Sequence, residues 1–261
     1  MEEVVAMKLI KWLMIVGIGG LNSVAASAGD WEHGVGVTLT GLNVQGESGF
    51  DTVLLSGPLN TDVHLDTGTI AELFESGLSL DGFSTNGDLT FRYSIDKLEL
   101  EDKGSASVGP LTASADITYY TLVAEGLVDY TFHRSGKHAW GAILGLRYGV
   151  QEYDTDIAIG GLTAFDGAVD EDRTDLLLGV SYNYQISPTL TWSNQLDYGF
   201  NNSDTVHFVT SLDKTFGENW MLRGLIDVKD INFEKHSEGD DDWFKYDVTE
   251  IAAGFSLLYL Y

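Results

Sequence analysis

The sequence predicts an all-β fold: an antiparallel, up-and-down transmembrane β-barrel of about ten strands. Three observations predict it. Apolar residues recur at every second position in long runs, aromatic residues stand at both ends of the apolar face, and long connections alternate with short ones. Mean hydropathy is only -0.01, as expected of a barrel whose polar lumen residues cancel its lipid-facing ones.

A leader comes first. Residues 7–28 carry Lys8 and Lys11, then an apolar run from Trp12 to Leu21, then Ala26-Ser27-Ala28 ahead of Gly29. That is the layout of a secretory signal peptide, and the apolar run is too short for a membrane-spanning helix, which needs about 20 residues. Glu2 and Glu3 precede it where such a leader is basic, so Met7 is the expected start of translation. Cleavage after Ala28 leaves 29–261 as one barrel domain.

Strands are expected near 31–44, 69–79, 88–98, 115–132, 139–150, 173–186, 189–200, 204–214, 220–230 and 245–261. Many of these outlast the ~5–6 residues usual in soluble β-proteins. Tyr120, Leu122, Ala124, Gly126, Val128, Tyr130 and Phe132 share one face, with Thr121, Glu125 and Asp129 between them. Trp140, Ala142, Leu144, Leu146, Tyr148 and Val150 do the same, with Arg147 opposite. Tyr120 and Tyr130 lie roughly 25 Å apart along a tilted barrel strand, the height of an outer membrane's apolar band. A soluble sandwich also alternates, but it does not require aromatic girdles at both ends of so long a face. The segment 69–79 has no clean polar face, and eight or twelve strands also fit.

Connections at 45–68, 99–114, 151–172 and 231–244 are long, whereas 80–87, 133–138, 187–188 and 215–219 are short. Only 201–203 breaks the alternation of outer loops with periplasmic turns. An even strand count places both termini in the periplasm. The last strand, EIAAGFSLLYLY, sets Ile251, Ala253, Phe255, Leu257, Tyr259 and Tyr261 on one face, with Leu258 and Leu260 interrupting the other.

Together the leader, girdles, loop rhythm and aromatic ending resemble the small bacterial outer-membrane β-barrels, the class that includes outer-membrane protein A-type and opacity-type barrels. The resemblance covers the mature chain and identifies no single activity. It implies that Phe255, Leu257, Tyr259 and Tyr261 form the signal read by the barrel-assembly machinery. The class commonly ends in Phe, so Tyr261 departs from its pattern.

The polar phase predicts a lumen network of Arg92, Glu125, Asp129, Arg147, Asp197, His207, Arg223, Asp227 and Glu250, with Asp88 and Asp96 in the same phase. Charges facing lipid near the midplane cost several kcal/mol, which assigns them inward. Guanidinium forks bridging carboxylates would plug so narrow a lumen. If 201–203 is a hairpin tip, Asp197 stands opposite His207, the minimum for general-base work. No activated nucleophile or second acidic pair accompanies them, so the expected role is a non-enzymatic structural or surface-exposed envelope component. A narrow small-solute channel is the alternative, followed by an enzyme at the outer rim acting on peptide or lipid.

The chain has 14 Lys+Arg against 40 Asp+Glu, a net charge of -26. That excludes nucleic acid as a partner, because little is available to neutralise phosphates. Outer-membrane lipid and lipopolysaccharide are the expected partners, with divalent cations at the acidic segments 151–172 and 237–243. With no cysteine and scattered histidines, neither a metal site nor a cofactor is expected.

Overall fold

A computed structural model describes residues 31–52, 57–66, 77–108, 111–159, 162–201, 203–236 and 244–261. The expected leader lies outside these residues, as do 67–76 and the acidic segment 237–243. The strands are β1 (Glu32–Thr52), β2 (Gly57–Asp66), β3 (Gly77–Thr85), β4 (Leu89–Val108), β5 (Leu111–Ser135), β6 (His138–Ile159), β7 (Leu162–Ser187), β8 (Leu190–Asn201), β9 (Asp204–Phe216), β10 (Trp220–Lys235) and β11 (Phe244–Leu260).

Every pairing among the described residues is antiparallel, each strand from β3 to β10 pairs with its successor, and β11 pairs with β1 to close the sheet. β2 and β3 share one place in the barrel: β2 pairs with the far half of β1, Asn43–Thr52, and β3 with its near half, Glu32–Leu39. The result is a closed barrel of ten positions, the number expected, with an additional strand segment inside the predicted 45–68 connection and with β3 at Gly77–Thr85, running through most of the predicted 80–87 connection.

The predicted long loops are shorter than expected because strands continue through them. β4 and β5 pair out to Val108 and Leu111, and β6 and β7 to Ile159 and Leu162. Above the apolar band the outward positions turn polar, as at Glu152, Asp154 and Asp230. Strand pairing nonetheless persists, because a ladder in water still satisfies its backbone groups. At the other end, tight turns cover 136–137, 188–189 and 217–219. Gly136 and Gly217 supply the positive φ there, at 59° and 63°. The tip after Asn201 is short, as expected, and it folds Ser203 inward onto Asp175 (2.6 Å).

Alternation sorts the side chains as predicted. Leu144, Leu178, Val180, Leu196, Ile226 and Ile251 face outward, each about half exposed. Aromatic residues crowd the short-turn end of this face: Trp140 lies 4.6 Å from Tyr182, and Trp220 lies 5.3 Å from Tyr259 between ring centroids. At the opposite edge stand Tyr120, over which Lys97 sits at 5.5 Å, and Tyr198 beside Phe200. The inward face is less uniformly polar than predicted. Leu127, Ile143 and Leu177 form one buried cluster, and Val44, Ile231, Phe233, Tyr246 and Val248 form another toward the long-hairpin end. Leu258 and Leu260, which interrupted the polar phase in sequence, close the short-turn end with Met221 and Phe83.

The seam ends on Tyr261. Its N–H donates to the His33 carbonyl (3.0 Å), the His33 N–H donates back (3.1 Å), and its ring stacks on His33 at 5.4 Å. Deleting Tyr261 is expected to slow or reduce folding into lipid vesicles, measured as the fraction migrating as a compact species in unheated SDS gels. Unchanged yield would remove Tyr261 from the closing step.

Candidate functional site

The candidate site is the lumen, where inward positions of neighbouring strands come into register. Glu125, Arg147 and Asp175 are cross-strand neighbours on β5, β6 and β7; Asp197, His207, Lys229 and Glu250 are neighbours on β8 to β11. The predicted Asp197–His207 pairing is thus present. Arg147 joins the two groups across the lumen, with Nη2 2.7 Å from Glu125 Oε2 and 3.5 Å from Asp197 Oδ1. His207 is held at both ring nitrogens: Nδ1 lies 3.1 Å from Asp197 and Nε2 lies 3.0 Å from Asp227. Arg147 Nη2 also lies 2.9 Å from Nδ1. A neutral ring can therefore accept there from Arg147, and a protonated ring can donate to both carboxylates. Lys229 approaches Asp227 at 3.6 Å. Burial is nearly complete, at 2% exposure for Arg147, 2% for Asp197 and 4% for His207.

Two further groups lie toward the short-turn end. Arg92 donates to Gln195 (2.6 Å) and Asp129 (3.1 Å), and Gln195 donates onward to Asp197 (2.6 Å), which ties this group to the central layer. Arg223 grips Asp213 at two points (2.8 and 3.0 Å). Asp81 stands nearby at 3.9 Å and accepts from Thr38. The single expected network is therefore two linked groups and one separate group. Glu250 keeps its inward place, accepting from Tyr246 (3.1 Å). Asp88 is a correction: it lies in the β3–β4 turn, 74% exposed, paired with Arg134. Turn geometry there overrides the strand phase that pointed it inward. Lys229, Asp213 and Asp81 were not anticipated, although each sits an even number of residues from an inward position.

Gly141 is required where Asp129 crosses the lumen wall. A methyl there would collide with Asp129 Oδ1 and Ser181 Oγ, which are themselves hydrogen bonded (2.9 Å). Gly141→Ala is expected to lower stability by about 1–3 kcal/mol through overpacking, measurable by urea unfolding in lipid. A change within about 0.5 kcal/mol would show that Asp129 can move aside.

Chemically, the central layer can hold charges in place and block passage. His207 has two carboxylates and Lys229 opposite it on β10, but Lys229 is paired with Asp227, and among the described residues no serine or threonine hydroxyl is hydrogen bonded to the ring as a nucleophile would be. No group of acids and histidines among the described residues has a metal-binding arrangement.

The sequence matches no family model, and no curated protein matches it. Solved structures do match. The outer membrane protease OmpT of Escherichia coli superposes with a TM-score of 0.54 at 8% identity, covering 88% of this chain and 97% of that one. The translocator domain of the autotransporter NalP of Neisseria meningitidis gives 0.39 at 12%, covering 99% and 97%. The attachment invasion locus protein Ail of Yersinia pestis gives 0.34 at 12%, covering 89% and 100%. The superposition on the protease shows that the chain has the fold of a bacterial outer-membrane barrel, and at 8% identity the likeness is one of fold alone.

Proposed function

We propose that the chain is an integral outer-membrane protein with both termini in the periplasm, serving as a closed, non-enzymatic structural or surface component. The central lumen layer carries this reading. Glu125, Arg147, Asp197, His207, Asp227 and Lys229 meet across the barrel at mid-height, and their mutual ion pairs leave little reason for a solute to displace them. The outward apolar band and its aromatic edges support placement in lipid, with lipopolysaccharide around the outer half and the barrel-assembly machinery reading the last strand. The acidic hairpins rising above the band would meet divalent cations shared with that lipid.

Planar-bilayer recording tests the closed lumen. Refolded protein is expected to give no discrete conductance steps in symmetric salt at neutral pH. Regular steps that vanish on blocking the lumen would favour a narrow channel instead, a reading supported by the cavity beneath the central layer. An outer-rim enzyme is the less favoured reading, because Asp197 and His207 are enclosed and occupied with each other.

A further inference from the structure

Between the central layer and the apolar closure of Met221 and Phe83 lies a cavity of about 350 Å³. A volume of that order accommodates a small molecule in addition to a few waters. Its wall carries Arg92, Arg223, Asp81, Asp129 and Asp213, with Glu125 and His207 above. Polar Thr85, Thr90, Asn183 and Ser193 also line it.

We propose that this vestibule binds a small oxyanion, of carboxylate or phosphate type, between Arg92 and Arg223. The carboxylates on its wall are already engaged: Asp129 by Arg92 and Ser181, Asp213 by Nε and Nη2 of Arg223, Glu125 by Arg147, and Asp81 by Thr38. The guanidinium groups keep free surface. Arg92 is 31% exposed against 10% for Asp129, and Arg223 is 25% exposed against 12% for Asp213. Among the described residues Arg223 Nη1 is ion-paired only with Asp81, at 3.9 Å, beyond hydrogen-bond length. Each guanidinium thus holds its carboxylate on one side and presents cationic surface to the cavity on another. An oxyanion with several acceptor oxygens can take donors from both forks at once. The surrounding carboxylates weaken the attraction, so the expected affinity is modest, with a Kd of about 1 mM.

The test is isothermal titration of the refolded full chain in detergent with inorganic phosphate, at constant ionic strength and in buffer free of other oxyanions. One saturable site is expected, weakened at least about tenfold by Arg92→Gln or Arg223→Gln and unchanged by Arg134→Gln at the turn. Retained affinity in both lumen variants, equal loss in the turn variant, or no saturable binding would overturn the proposal. If Arg223→Gln does not fold, Arg223→Lys keeps the charge without the fork; unchanged affinity in that variant would also overturn it. Binding is read without any current, so its failure leaves the closed-lumen reading standing.

Discussion

Replacing Arg147 with methionine is expected to lower the stability of the folded barrel by about 3–5 kcal/mol. The reason is what remains behind. Arg147 is 2% exposed in its side chain, Asp197 is 0% and Glu125 is 14%, so removing the cation strands two carboxylates where water scarcely reaches. Asp197 keeps His207 and Gln195, but Glu125 loses the partner that held it at two nitrogens. A double variant, Arg147→Met with Glu125→Gln, should recover part of the loss, since residues in one ion-pair network couple by about 0.5–3 kcal/mol. Urea unfolding in lipid vesicles, followed by tryptophan emission, measures both. A loss below about 1 kcal/mol for the single variant would mean that the layer is wet enough to screen its charges, which would favour the channel reading.

The layer also shows which parts of the site were legible in sequence. Period-two alternation fixed the face of Arg147, Asp197, His207 and Asp227, and a three-residue tip put Asp197 opposite His207 as expected. What alternation could not supply was register across the lumen. Arg147 stands on β6 and Asp197 on β8, the two strands that flank β7, and they meet over β7 because the curved wall turns their inward side chains toward each other. Lys229 is legible in principle, two residues from Asp227 on the same face. Asp88 failed for the opposite reason, because its position in a turn breaks the alternation that would have placed it.

The long hairpins are hidden in the sequence for a physical reason. Acidic residues such as Asp154, Asp156 and Asp170 read as loop signals when a strand is sought by one apolar face. Beyond the apolar band both faces of a barrel wall can be wet, so apolar alternation fades while pairing continues out to Ile159 and Leu162. Lys235 and Glu171 illustrate the outcome. They join β10 to β7 at 2.8 Å, where β8 and β9 have already turned back.

Leu196→Arg is expected to cost about 2–4 kcal/mol in a lipid bilayer, the penalty for a cation on the lipid face near the midplane. Leu196 is 48% exposed and faces outward between Val180 on β7 and Phe208 on β9, both of them also outward. Neither cross-strand neighbour offers the guanidinium a carboxylate, and a side chain at mid-height has the longest reach to either interface. The same substitution at Glu234, exposed on the outer face of β10 above the apolar band, should cost less than about 1 kcal/mol. The contrast between the two sites matters more than either value. A water-facing apolar patch would tolerate arginine at Leu196 almost as well as at Glu234, since an exposed substitution there breaks no packing. Parallel urea titrations in vesicles therefore read where the hydrocarbon lies. Equal costs at the two positions would place the band outside a bilayer, and the membrane assignment would fall with it.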